Sequence, residues 1–411
     1  MFNASIQHEF GKNIVGEIQY IGQFGSGLFG ERDANAPVIA ADPAHPGFFY
    51  FQVQAPVDPT QPLTARPDNR FTAVRTNENS RTSQYNGMLV SVSKRMSQHF
   101  SLNASYTWSH AITSGEDFFG LSEPGDPTNI KAERGPAFND VRHAVNLSGV
   151  IDTGRLSQTN ILRWFTNDIT LGIIEQLQSG RPYPFSTGSG GFADAIFFGA
   201  GNETQQRPNV LPDGTISTAG LASADGTNGL FSGPGGNTFL APGIVAGSCM
   251  NVVGKAACAG SLSADTGDVV DFQKINGNLT RDAGRGSPFF RTDTSLKKTF
   301  RMPRAETVKL ELQADALNLF NHSNWQGFNA NNFLSLLSLG SATCTNCMRP
   351  NGTYVGNNGQ LLHVSDITRG KVSSDLLNPA FGGAGAPLVG IGDPSSVDGS
   401  RLFQLSFHVR F

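Results

Sequence analysis

Charge is scarce in this sequence. Lys, Arg, Asp and Glu make up 15% of the 411 residues, where a soluble domain carries about 25%. Long apolar runs are missing too, so no segment reads as a transmembrane helix. The net charge of −3 leaves no basic surface to argue for nucleic acid as a partner. The opening MFNASIQHEF has no basic stretch and no apolar run, so it does not read as a signal peptide. No convincing helical period runs through the apolar residues, and 48 glycines and 22 prolines punctuate the stretches between them. Cysteine is limited to Cys249, Cys258, Cys344 and Cys347, all in Gly/Asn-rich stretches. Cys344 and Cys347 form a C-x-x-C with no βαβ context and no ligand pair at zinc-finger spacing. Local disulfides, free thiols and a metal site all stay open there. Disulfides would imply an oxidising compartment.

What fills the sequence instead is alternation with a period of two, the pattern of half-buried strands. Phe2, Ala4, Ile6, His8 and Phe10 share one face. Ile14, Gly16, Ile18 and Tyr20 do the same opposite Val15, Glu17, Gln19 and Ile21. Met88, Val90 and Val92 alternate with Leu89, Ser91 and Ser93. The cleanest case is HFSLNASYTWSH, where Phe100, Leu102, Ala104, Tyr106 and Trp108 alternate with Ser101, Asn103, Ser105, Thr107 and Ser109. Further strands are expected from His143 to Ile151, Ile169 to Leu177, Arg291 to Lys297 and Val308 to Ala316. Ile174 and Glu175 break the pattern in the second of these. The last stretch, RLFQLSFHVRF, places Phe403, Leu405, Phe407, Val409 and Phe411 on one face. That makes nine strands.

The links between them alternate strictly. Short ones lie near Gly11, at 97–99, at 153–163 and at 301–306. Long ones cover residues 24–82, 113–140, 179–289 and 321–400. A soluble sandwich has no reason to gather every long link at one end, whereas a transmembrane β-barrel has short periplasmic turns and long extracellular loops. Spanning takes about 9–11 tilted residues per strand, and these strands fit. Tyr20, Trp108 and Phe411 sit near strand ends, where an aromatic girdle belongs. The fold expected is therefore all-β, an antiparallel transmembrane barrel of about nine strands, partial because an odd count is unusual in single-chain bacterial barrels.

Several stretches resemble one family. YNGMLVSVSKRMSQHFSLNASYTWSHAI is similar to the strand–turn–strand unit of TonB-dependent outer-membrane receptors of the Oar-like type. ERGPAFNDVRHAVNLSG, LQSGRPYPFSTG and FFRTDTSLKKTF resemble later strands of that family. KLELQADALNLFNHSNW carries its Asn-Leu-Phe-Asn at Asn318–Asn321, and RLFQLSFHVRF resembles its final strand. The resemblance implies that residues 1–411 are the C-terminal part of such a barrel, with plug, signal peptide and earlier strands absent. It implies that Phe403, Leu405, Phe407, Val409 and Phe411 form the signal read by the barrel-assembly machinery. It also implies outer-membrane lipid as surroundings and TonB as a partner acting through the missing plug region.

Other motifs carry less. Gly25, Gly27 and Gly30 make a formal G-x-G-x-x-G, but Pro37 and Pro43 follow where a dinucleotide site needs a helix. His8-Glu9 begins a metalloprotease pattern that Lys12 ends. Glu116, Asp117, Glu123 and Asp126 could hold calcium, although a solvated loop explains them as well. Asp140, Arg142 and His143 read as a loop-to-strand junction. No catalytic triad, metal set or cofactor site stands out, so the chain is not expected to be an enzyme. Substrate contacts are expected in the four long loops, which could recognise carbohydrate or peptide. An adhesive barrel, a passive porin and a secreted sandwich are the alternatives.

Overall fold

The computed structural model describes, apart from scattered single positions and short gaps, residues 1–115, 129–157, 165–183, 207–217, 277–301, 309–325 and 400–410. It also describes 230–232, 238–240, 361, 363–365 and 397–398. Nine long strands follow one another as β1 Phe2–Phe10, β2 Ile14–Asp33, β3 Arg75–Ser97, β4 Phe100–Thr113 and β5 His143–Asp152. Then come β6 Ile169–Gln178, β7 Phe289–Arg301, β8 Lys309–Leu317 and β9 Leu402–Arg410. Each pairs antiparallel with the next in chain order. Among the described residues β1 pairs only with β2 and β9 only with β8, so the sheet is open. The nine expected strands are these nine.

The short turns tighten through left-handed residues that tolerate that conformation. Asn13 (φ 62°) lies between β1 and β2, and His99 (φ 72°) between β3 and β4. Lys94 folds its amine onto the second turn, donating to the Ser97 and Phe100 carbonyls at 2.8 and 2.9 Å, 3.6 Å above the Phe100 ring. Ala314 to Phe320 has mild helical propensity, but the strand alternation prevails and the strand runs on to Leu317.

Register assigns every side chain to one of two faces, because directly opposed residues share a face. Ile6 opposes Ile18, Ile18 opposes Val90, and Val90 opposes Tyr106. Farther along, Ile151 opposes Leu171, Leu171 opposes Leu296, and Ala314 opposes Leu405. This face is apolar and solvent-open, as a lipid-facing wall requires. The other carries Gln7, Glu17, Ser91, Ser105, Asn146 and their neighbours. The buried apolar residues, among those described, are Ala65, Ala137, Ile216, Leu279, Ala283 and Ala316. A sandwich would need a core of large apolar side chains between two sheets, and this wall has none among the described residues. No helix of the described residues is long and apolar enough to cross a membrane.

Two expected boundaries move, and one expected irregularity proves regular. Residues 24–82 are not one loop: β2 continues to Asp33 and pairs with β3 from Arg75 onward, through irregularities around Leu28. Gly27, at φ 66°, supplies the left-handed residue there. Gly30 is needed beside it, since a Cβ would lie 2.2 Å from Arg81 Nε. Phe289 opens β7 instead of ending a loop. Finally, the Ile174–Glu175 break is not absorbed by a bulge. Pairing on both sides of β6 is continuous, so Glu175 faces outward between Leu147 and Thr292, and Ile174 faces inward.

Candidate functional site

β2 and β3 rise well beyond the roughly 9–11 residues needed to span, so their upper ends belong to an outer rim. There the buried side chains are polar. Asp33 accepts from the Asn35 and Val74 amides at 2.8 and 2.9 Å, and its other oxygen meets Arg66 Nη1 at 2.9 Å. Asn35 grips the far side of the same loop, donating to the Asp68 and Phe71 carbonyls and accepting from the Asp68 amide. Loop 34–74 is thus closed around three buried polar residues.

A second brace joins the next two loops. A 3-10 turn, Ile130–Glu133, presents Glu133 to Arg207, 2.9 Å away. Asn278 mirrors a strand partner: its Oδ1 accepts from the Val210 amide at 2.6 Å, and its own amide donates to Asn209 Oδ1 at 3.3 Å. Burial pushes the neighbouring Asp282 carboxyl up, against the pull of Arg281 and Arg207.

The third brace centres on Asp140, which is fully buried. It accepts from the Ala111 amide at 2.7 Å, from Arg285 at 2.7 Å and from Arg142 at 2.9 Å. Burial works to raise this carboxyl, but the Ala111 amide and the two guanidinium groups outweigh it and hold it below the usual carboxylate range. Asp140 and Arg142 therefore do fix the loop-to-strand junction. His143 contributes separately, its Nδ1 2.8 Å from the Tyr106 hydroxyl on the outward face. At the end of β8, Asn318 and Asn321 both adopt left-handed backbone, and Asn321 Oδ1 accepts from the Arg401 amide at 3.1 Å, just before β9.

Below the rim, the inward wall is laced by polar pairs. Arg291 donates to both oxygens of Asp293 at 3.0 Å, Gln313 holds Asp315, and Arg410 meets Glu311 at 3.2 Å. On the outward side Tyr20 donates to Asn86 at 2.8 Å, and Trp108 is exposed.

The C-terminal residues expected as an assembly signal share one face. Phe403, Leu405, Phe407 and Val409 oppose Ala316, Ala314, Leu312 and Leu310 and point outward. Phe411 lies outside the described residues, as do the four cysteines, the acidic group Glu116, Asp117, Glu123 and Asp126, and most of 179–289 and 321–400. Gly25 and Gly30 belong to strand β2 rather than to a nucleotide loop, and His8 and Glu9 to β1. Among the described residues no group of three or more His, Cys, Asp or Glu could hold a metal ion. Sequence reasoning missed Asp33, Asn35, Arg66, Arg207 and Arg285. They sit among other polar residues, in GERDAN, ARPDNR, TQQRPN and RDAGRG, so nothing in the sequence singles them out.

No curated protein matches this sequence. The family model for an outer membrane beta barrel domain matches residues 1–350, which include β1 to β8. β9 extends the same sheet by nine residue pairs. With its apolar outer face, polar inner face and one-sided long loops, the chain belongs to this outer-membrane β-barrel family, and its place is the bacterial outer membrane.

Proposed function

We propose that the chain forms part of the wall and outer rim of a TonB-dependent receptor of the Oar-like type, which admits a carbohydrate or peptide from outside. The observation that carries this reading is the braced rim. Asp33–Arg66, Glu133–Arg207 and Asp140–Arg285 tie long loops down at the mouth of a polar-lined wall. A barrel that only filled membrane would gain nothing from ordering such loops against their entropy. The resemblance at Asn318–Asn321 and in the strand–turn–strand unit supports the finer assignment.

In this reading the chain does no covalent chemistry, carries no cofactor and binds no nucleic acid. Lipid surrounds its outward face, the barrel-assembly machinery reads β9, and TonB acts through a plug region outside residues 1–411. The test is uptake in the native host, with labelled oligosaccharides and peptides, after deletion of the protein or of TonB. Loss of the same uptake in both strains is expected. Uptake that survives loss of TonB would favour a porin. An adhesion defect without any uptake defect would favour a surface adhesin.

A further inference from the structure

Among the described residues two arginine side chains are fully buried, Arg66 and Arg81. Arg66 has its carboxylate, Asp33. Arg81 has none. It lies on the upper part of β3, well above Met88, which opposes the girdle residue Tyr20. It therefore belongs to the rim and not to the spanning wall. Its Nη2 donates to the Glu31 carbonyl at 2.8 Å, while its Nε and Nη1 are buried without an acceptor. At least three of its five N–H donors are unused.

The carboxylates around it are already engaged. Glu31 meets Arg75 and Glu78 meets Arg32, each at 3.4 Å, Glu133 meets Arg207 at 2.9 Å, and Asp282 meets Arg281 at 3.3 Å. With Arg81, five arginines share four carboxylates, and burial pushes one of the four, Asp282, towards its neutral form. The whole chain carries a net charge of −3, so this surplus of positive charge is local to the rim. A buried cation left without a partner is costly, and burial accordingly pushes the Arg81 guanidinium down from its ordinary value.

The cover over Arg81 supplies an independent observation. It is backbone: a Cβ on Gly30 would lie 2.2 Å from Nε, and one on Gly115 2.9 Å from Cγ. Gly30 is fixed in the ladder between β2 and β3. Gly115 bonds only Thr113 among the described residues, at 2.6 and 3.1 Å. That side of the cover can swing away without breaking a strand pair. An anion entering there gives the guanidinium the charged acceptor that the rim itself withholds.

We propose that Arg81 is a rim site for a carboxylate carried by the substrate. The proposal rests on the receptor reading above and names a group that its substrate bears. One unmatched positive charge suits one carboxylate, whereas a phosphate monoester brings closer to two negative charges. A carboxylate could come from the substrate or from the plug region. The position above the spanning wall favours the substrate, which arrives from outside.

The experiment uses the full-length receptor in detergent and calorimetric titration with two matched pairs. One is hexagalacturonate and its methyl ester, the other a Gly/Ser hexapeptide with a free or an amidated C-terminus. In at least one pair the acid is expected to bind at least tenfold more tightly than its neutral partner. Arg81→Met should erase that preference. Arg134→Met, which removes a rim guanidinium bonded to Gln84, should keep it. Heat-modifiable gel mobility establishes that each variant is folded. An acid preference that survives Arg81→Met overturns the site, as does acetate binding as tightly as the longer acids. No preference in either pair overturns it too, and a ligand-free thermal midpoint lowered by Arg81→Met would then assign the carboxylate to the plug. TonB-dependent uptake of the neutral partners alone would overturn the site and leave the receptor reading standing. Acid binding that depends on Arg81, in a protein whose uptake ignores TonB, would do the reverse.

Discussion

Arg66 and Asp33 meet 2.9 Å apart with both side chains fully buried, at the point where loop 34–74 leaves β2. The pair is 33 residues apart in sequence, and Asp33 also holds the Val74 amide on the loop's return. Removing Arg66 leaves a buried carboxylate without its cation, a change that costs about 3–5 kcal/mol. Arg66→Ala should therefore open this loop while the strands stay paired. Proteolysis of intact cells should cleave between residues 34 and 74 far faster in the variant, with unchanged heat-modifiable mobility of the barrel. Equal cleavage rates would mean that the ion pair does not hold the loop.

Asp140 makes the rim sensitive to acid. Its carboxyl titrates below the ordinary value of 3.8 because Ala111, Arg285 and Arg142 favour the charged form. A depressed carboxylate contributes stability that is complete above its unfolded value and is lost as pH falls through the folded one. The protection of backbone amides near Ala111 and Arg285, with exchange corrected for its intrinsic pH dependence, should thus be constant down to about pH 4 and fall below it. In Asp140→Asn that protection should already be low at neutral pH and show no further step.

The two faces of β9 predict opposite outcomes for one substitution at adjacent positions. Leu405 points outward and is 77% exposed, while Gln404 points inward opposite Asp315. Arginine on a lipid-facing position costs up to about 2–4 kcal/mol, and lumen positions tolerate it. Leu405→Arg should lower the urea midpoint of folding into lipid vesicles, and Gln404→Arg should leave it nearly unchanged. Equal effects would reverse the assignment of faces.

Gly135 reports on how closely two loops approach. A Cβ there would sit 2.5 Å from the Arg281 carbonyl oxygen, a contact with backbone that no rotamer change relieves. Gly135→Ala should push the 277–286 segment away at a cost of about 1–3 kcal/mol. Faster hydrogen exchange confined to that segment is the expected reading, and a wild-type pattern would show that the loops have room to spare.

Strand number and facing were legible because lipid on one side and water on the other impose a strict period of two. Phe100 to Trp108 displays it almost without error. The signal fades where both faces are wet. GSGLFGERD and RTNENSRTS read as loop, yet they form the upper ends of β2 and β3, since nothing above the bilayer rewards alternation. The rim braces were less visible still. Asp140 and Arg285 are 145 residues apart, and Glu133 and Arg207 are 74 apart. Pairs of that kind are set by topology and leave no spacing to read. Ile174 and Glu175 looked like noise in a strand, and the register turned them into a statement about both faces.

The ladder between β6 and β7 joins ten residue pairs across a connection of more than a hundred residues, from Gln178 to Phe289. The seam itself uses no residue of that connection. Residues 1–178 and 289–411, produced as two polypeptides, carry between them every strand of the sheet and the complementary edges needed to zip together. The long outer segment leaves this seam alone, but its Arg207 and Arg285 brace the rim, so exchanging it should loosen the rim loops while the sheet beneath stays zipped.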